Sequence, residues 1–75
     1  MVNAAQIKEH MEVKGSDGRH VGTVDRVEGN RIKLTKSDPA SGGQHHYVDL
    51  GIVHEIKDEA VCLSKTADEA KGALQ

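Results

Sequence analysis

Apolar and polar residues alternate over short stretches of this chain, and that pattern predicts β-strands. The alternation is clearest at residues 31–35, where Ile32 and Leu34 would face a core and the residues between them would face solvent. Similar patterns predict further strands at residues 21–27, 45–50, 54–56 and 60–63. Turn-forming residues separate these segments. The pattern therefore predicts a small domain built mainly from β-structure.

The first segment, residues 3–13, fits two interpretations. Ile7 and Met11 would lie on one face of a short helical turn, which Asn3 could cap. Met11 and Val13 also alternate as a strand requires. We expect a strand in the second half of this segment.

Residues 15–27 hold a glycine-rich turn followed by a valine-rich segment. Asp17-Gly18 is a strong hairpin signal between apolar strands. The valines lie at positions 21, 24 and 27, a spacing that fits neither strict alternation nor a helix. A β-bulge near Gly22 or Asp25 would shift the register by one residue and turn more of the valines inward. A glycine inside such a strand is typical of the coiled strands of a small barrel.

The longest loop spans residues 36–44 and contains the only proline and a Gly42-Gly43 pair. Loops of this length are often binding sites. We therefore expect that any functional site lies in residues 38–47 or in the turn at residues 16–20.

The C-terminal residues predict a short helix over residues 66–74. Thr66 and Glu69 have the spacing of a capping box, in which each side chain bonds to the backbone N–H of the other residue. The narrow apolar face of this helix would consist of Ala67, Ala70 and Leu74.

The length of 75 residues allows one domain, which we place at residues 1–75. Tyr47 is the only aromatic residue, so the core must be aliphatic. A domain of this size buries only about 60% of the surface of its unfolded chain, so its stability is expected to be small. Dimerisation would compensate for the small core, and a homodimer is therefore considered.

The charges nearly balance, with 10 Lys and Arg against 12 Asp and Glu. Nucleic-acid binders usually carry a basic patch and stacking aromatic residues, and the sequence has neither. It also lacks a bilayer-spanning run of about 20 apolar residues, a basic amphipathic helix and a secretory signal. Cys62 has no second cysteine with which to pair. These features predict a cytoplasmic protein that binds neither nucleic acid nor membranes.

The chain has 5 histidines, and a zinc site needs three or four converging ligands. His45 and His46 are adjacent, and adjacent residues on a strand point to opposite faces. His46 would meet His54 or His20 only if their strands were neighbours, which the sequence does not decide. We therefore expect no metal, with metal or small-ligand binding through these histidines as the competing hypothesis.

Residues that could support catalysis do not form a recognisable motif. Cys62 lies between two inward-facing apolar residues and has no Cys-His signature around it. Gly42-Gly43 lacks the lysine and the following helix of a phosphate-binding loop. The aspartates are too scattered for a calcium loop. We expect that the protein is not an enzyme and uses no cofactor.

Three segments resemble the opening of PRC-barrel domains. They are the Asp-Gly turn at residues 15–18, the Val-Gly-x-Val of residues 21–24 and the hairpin at residues 28–34. More closely, most of the chain resembles an uncharacterised bacterial family of PRC-barrel-like proteins, through residues 15–27, 34–39, 42–47 and 63–67. The resemblance implies a strongly curled β-barrel of five or six strands. It transfers no functional residue to this chain.

PRC-barrel relatives include part of the photosynthetic reaction centre H subunit and the C-terminal domain of a ribosome-maturation factor. Both use the barrel as a protein-contact module, so the resemblance implies a non-enzymatic interaction or scaffold module with a protein partner. The residues that we expect to contact the partner are Asp17, Gly18, His20, Gly42, Gly43, His45, His46 and Tyr47.

Overall fold

A computed structural model describes residues 4–74 of the chain, and within them six strands form one sheet. The strands are β1 (Glu12–Lys14), β2 (His20–Glu28), β3 (Arg31–Leu34), β4 (His46–Asp49), β5 (Val53–Lys57) and β6 (Ala60–Leu63). One helix, α1 (Ala67–Gly72), follows the last strand, and 3-10 turns lie at Ala4–Gln6, Pro39–Ser41 and Leu50–Ile52. The predicted fold class, mostly β with a short C-terminal helix, is confirmed.

The strands lie in the order β4-β3-β2-β1-β6-β5 across the sheet. β1 and β6 run parallel, and every other pair of neighbours is antiparallel. Among the residues described, no ladder joins β4 to β5, so these two strands are the edges of an open sheet. The closed barrel that the resemblance implies is therefore not confirmed.

The predicted bulge in the valine-rich strand is confirmed, and β2 contains two. Val21 is the extra residue against β1, because Gly22 pairs with Val13 while His20 pairs with Lys14. A second extra residue, at position 25, lies between the β3 pairings of positions 24 and 26. Each bulge shifts the alternation of side chains by one residue. The valines, which are three positions apart in the sequence, can therefore lie on one inward face of β2.

The core is aliphatic, as the composition predicts, and draws its residues from five strands, from the N-terminal segment and from α1. Ile32 and Leu34 of β3 are both buried, as the alternation predicts. The side chains that are less than 2% exposed and largest in volume come from five strands and comprise Ile32, Leu34, Leu63, Val13, Val21, Val24, Val48 and Val61.

Two tight hairpins have different turn residues. Gly29 begins the two-residue loop between β2 and β3 and has φ +60°, which is typical of a type II′ turn. The loop between β5 and β6 consists of Asp58 and Glu59, with φ values of 54° and 61°. Left-handed φ at both positions is typical of a type I′ turn, which normally uses Asn and Gly. The second hairpin is therefore built with unfavourable residues.

The helix α1 docks onto the turn between β1 and β2. Its capping box is present as predicted, with the Thr66 hydroxyl accepting from the Glu69 backbone N–H at 3.3 Å. A Cβ on Gly15 would lie 2.3 Å from the Ala67 backbone nitrogen, so only glycine allows this approach. The helix is shorter than the predicted range of residues 66–74, because Ala73 is already its C-cap residue.

The N-terminal segment combines both interpretations that its sequence allows. A 3-10 turn at Ala4–Gln6 leads to the buried Ile7, and β1 begins at Glu12. The proposed capping residue Asn3 lies outside the described residues. Within residues 4–74, no helix is both long and apolar enough to cross a membrane.

Candidate functional site

The most concentrated polar network in the described part of the chain is centred on His20. Its ring nitrogen Nδ1 lies 2.8 Å from Glu12 Oε2, and Nε2 lies 2.6 Å from Asp38 Oδ2. The Thr23 hydroxyl donates a second hydrogen bond to the same Asp38 oxygen at 2.6 Å. We refer to Glu12, His20, Thr23 and Asp38 as the His20 bridge. It connects β1, β2 and the long loop.

The bulge at Val21 brings the sheet residues of the bridge together. Residues 20 and 23 of a regular strand would point to opposite faces. The extra residue between them returns His20 to the face that carries Thr23. Glu12 is paired directly with Thr23, so its side chain projects from this face too. The bulge at Val21 that orients the valines therefore also brings the side chains of the His20 bridge together.

The bridge favours the protonated form of His20. Burial of the ring alone would lower its pKa, but the hydrogen bonds to Glu12 and Asp38 and their negative charges outweigh burial, so the pKa is raised above 6.5. Only the imidazolium can donate from both nitrogens at once. In its protonated form the His20 ring is a cationic clamp between two carboxylates, which occupy both of its nitrogens.

Asp38 anchors the start of the loop, and its side chain is only 6% exposed. The Ser41 hydroxyl donates a hydrogen bond to the Asp38 carbonyl at 2.7 Å. The His46 ring donates to the Ser41 carbonyl at 3.0 Å, and the His45 ring to the Leu34 carbonyl at 3.1 Å. We call residues 36–45 the anchored loop, because these bonds hold both of its ends on the sheet.

The tip of the anchored loop is exposed. Gly42 and Gly43 have φ values of +66° and +82°, and a Cβ at either position would meet nothing within 4 Å. Gln44 and His45 are exposed as well. Tyr47, just beyond the loop, lies half-buried with the Arg31 guanidinium 4.5 Å from its ring centre. The tip thus presents backbone and polar side chains to solvent above a fixed base.

The predicted interaction residues fall into two groups. His20, His45 and His46 hold the anchored loop, so their rings make internal bonds while parts of them stay accessible. Asp17 accepts hydrogen bonds from the backbone N–H groups of Ala67 and Arg19. Burial alone would raise the pKa of Asp17, but these bonds outweigh it and lower that pKa. Asp17 therefore holds α1 against the turn, where Gly18 has φ +82°.

Sequence reasoning missed Glu12 and Thr23 as members of the network, although it named the turn that ends at His20 and the loop that begins at Asp38 as two separate candidate regions. The bulge prediction contained the missing signal. An extra residue between positions 20 and 23 puts both side chains on one face.

The histidines considered as metal ligands do not form a group. Within residues 4–74, no three His, Cys, Asp or Glu side chains are arranged to hold a metal ion. His54 lies on β5, across the sheet order from His45 and His46 near β4.

Cys62 is half-buried on β6, directly beside Lys14 of β1. It lines a groove of about 490 Å³ that also includes His54, Glu55 and Lys57 of β5. The Cys62 thiol lies 4.0 Å from the Ala60 carbonyl. Within the described residues, no histidine ring forms a hydrogen bond with this thiol.

Comparison with known proteins identifies a family and no activity. No curated protein and no solved structure matches the chain at a significant level. A family model described as "Uncharacterized protein conserved in bacteria (DUF2171)" matches residues 7–71, which include all six strands and most of α1. The predicted membership of an uncharacterised bacterial family is thereby confirmed, whereas the match carries no link to PRC-barrel proteins. The chain belongs to the DUF2171 family of uncharacterised proteins conserved in bacteria.

Proposed function

We propose that this domain is a non-enzymatic protein-interaction module that contacts its partner through the tip of the anchored loop. The observation that carries the proposal is the hydrogen-bonded attachment of Asp38 to His20 and Thr23, at 2.6 Å in each case. This attachment fixes the base of a loop whose tip is exposed.

A fixed loop is suited to binding because less conformational entropy is lost when a partner docks. Binding residues in many proteins lie on loops that a rigid sheet positions. Here the base of the loop is bonded through Asp38, Ser41 and His46, while Gly42 and Gly43 leave backbone groups accessible to a partner. The loop therefore combines order with exposure.

The resemblance to PRC-barrel domains supports the same proposal, because the named relatives use that barrel for protein contacts. A strongly curled, barrel-like sheet and a cytoplasmic location are part of the proposal. Both follow from the sequence patterns and from the resemblance.

Capture of a partner from cells of the native bacterium tests the proposal. The tagged domain is cross-linked in lysate, and captured proteins are compared with those from a Gln44→Arg variant. Gln44 is exposed at the tip, so a larger charged side chain there should block docking while leaving the fold intact. Ala73→Arg is the matched control, because Ala73 is exposed at the end of α1.

A partner captured by the parent and by the control, but lost in Gln44→Arg, is the expected result. Equal capture by all three proteins would place the contact elsewhere and contradict the loop proposal. Zinc titration followed by NMR tests the competing hypothesis of histidine-based metal binding. Site-specific shifts of the His45 and His46 rings at micromolar zinc would favour that alternative.

A further inference from the structure

β5 is an edge strand with accessible side chains. Among the strands of the described residues, it pairs with β6 alone. Glu55 and Lys57 are exposed, and Ile56 between them is half-buried. Within residues 4–74, neither Glu55 nor Lys57 forms an ion pair. An exposed edge of this kind can accept another strand.

The ladder pattern determines which backbone groups of β5 face the open edge. Lys57 and Ala60 flank the two-residue turn, and Glu55 pairs with Cys62. Paired residues along an antiparallel ladder alternate between those that exchange hydrogen bonds and those that do not. The residues that flank a two-residue hairpin turn are hydrogen-bonded to each other, so the N–H and C=O of Ile56 point outward.

A groove lies on each face of β5. Glu55 and Lys57 line the groove of about 490 Å³ described above. Ile56 points to the other face. There it lines a second groove, of about 610 Å³, together with Met11 and the positive-φ residues His10 and Glu59. A strand added beside β5 would therefore place alternate side chains over the two grooves.

We propose that the strand added to β5 is the β5 of a second copy of this chain, antiparallel and related by a two-fold axis at Ile56. In this register Glu55 lies opposite Lys57 of the second copy, and Lys57 lies opposite its Glu55. Ile56 lies opposite its own counterpart on the face that packs against the core. Directly opposed residues share a face of the sheet, so both charge pairs form over the groove of about 490 Å³ that Glu55 and Lys57 line.

Charge complementarity selects this register and this occupant. A two-fold axis at Glu55 would place two glutamates opposite each other, and an axis at Lys57 would place two lysines opposite each other. Like charges in directly opposed positions are unfavourable. Only the axis at Ile56 gives opposite charges on both sides, so the strand Glu55-Ile56-Lys57 is complementary to itself.

This association is independent of the anchored-loop proposal. The loop leads into β4, and β4 and β5 are the two ends of the strand order. Loss of partner capture and loss of self-association are therefore separate results.

Sedimentation equilibrium of the full chain up to about 1 mM tests the proposal. The parent should show a monomer–dimer equilibrium. Glu55→Lys and Lys57→Glu each turn both opposed pairs into like charges, so each should weaken dimerisation roughly tenfold or more. A mixture of the two variants should restore association, because the heterodimer again has opposite charges in both pairs.

Lys71→Glu, at an exposed position on α1, is the matched control and should dimerise as the parent does. Circular dichroism checks that each variant is folded, which the exposure of Glu55 and Lys57 favours. A parent that stays monomeric at the highest concentration would overturn the proposal. Unchanged association of both charge variants, or no recovery in their mixture, would also overturn it.

Discussion

Gly22 lies in β2 at a point where a side chain has no room. A Cβ there would lie 2.9 Å from Leu34 Cδ1, and Leu34 is only 2% exposed. Gly22 has no left-handed φ, so the requirement for glycine comes from packing rather than from backbone freedom. The expected role of this glycine in the coiling of the strand stays a prediction.

Gly22→Ala should lower the free energy of unfolding by about 1 kcal/mol, and Gly22→Val by up to about 3 kcal/mol, because overpacking displaces Leu34. Urea unfolding measures both values. Gly72→Ala is the matched control: the added methyl meets nothing within 4 Å in the last turn of α1, so a gain of up to about 1 kcal/mol is expected. A Gly22→Val variant as stable as the parent would contradict the packing explanation.

His20 makes the stability of the domain dependent on pH. Its pKa in the folded chain is raised above the ordinary value of 6.5, so folding favours the protonated ring. The stabilisation is complete below about pH 6.5 and is lost as the pH rises through the folded-state pKa. The groups that face the ring are Glu12 of β1, which Lys14 approaches to 3.7 Å, and Asp38 of the anchored loop.

The difference in unfolding free energy between the parent and His20→Gln should therefore be larger at about pH 6 than at about pH 8.5. Urea unfolding at both values measures it, and NMR titration of the ring checks the direction of the pKa shift. Ala73→Gln, an exchange without a titratable group at the exposed end of α1, is the control, and its effect should be the same at both pH values. An equal effect of His20→Gln at both pH values would exclude the cationic clamp.

At the scale of elements, the β5–β6 hairpin has a turn that its residues disfavour. Asp58 and Glu59 both have left-handed φ, which costs roughly 1–2 kcal/mol for a residue with a Cβ, although Asp tolerates it better than Glu. Glu59→Gly should therefore raise the free energy of unfolding by about 1 kcal/mol. Thermal unfolding of this variant at low protein concentration provides the measurement.

Glu55→Gly serves as the comparison, because it places glycine inside β5, where it should destabilise. A loss of stability in Glu59→Gly would mean that the Glu59 side chain makes a contribution larger than its backbone strain.

Most elements could be predicted from the sequence, since short-range patterns determine them. The alternation of Ile32 and Leu34 identifies β3, and the spacing of Thr66 and Glu69 identifies the start of α1. The His20 bridge is different, because Glu12 and Asp38 approach His20 only through strand pairing and loop closure. Contacts between residues distant in sequence leave no local pattern.

At the scale of the whole molecule, the strand order predicts a gradient of local stability. β2 and β1 have neighbours on both sides, whereas β4 and β5 have one neighbour each. Amide hydrogen exchange should be slowest near Val13 and Val24, which are fully buried, and faster in the edge strands. Dilute samples are needed, because self-association through β5 would slow exchange at Ile56. Uniform protection across the sheet would contradict this gradient.

The order of the strands in the sheet could not be predicted from the sequence patterns. Hairpin signals indicate neighbours that follow each other along the chain, and β2–β3 is such a pair. The parallel pairing of β1 with β6 joins residues 12–14 to residues 60–62 and has no turn signal. This parallel pairing joins the β5–β6 hairpin to β1, and β5 and β4 therefore lie at opposite ends of the strand order.

The parallel pairing also bears on synthesis by the ribosome. β1 is translated well before its neighbour β6, because residues 15–59 lie between them. A growing chain can form the antiparallel β1–β4 part while one edge of β1, including the apolar Val13, stays unpaired. That edge is a template for pairing with other chains. The domain is therefore expected to complete its folding only after translation of β6, and a stalled nascent chain is expected to need chaperone protection at β1.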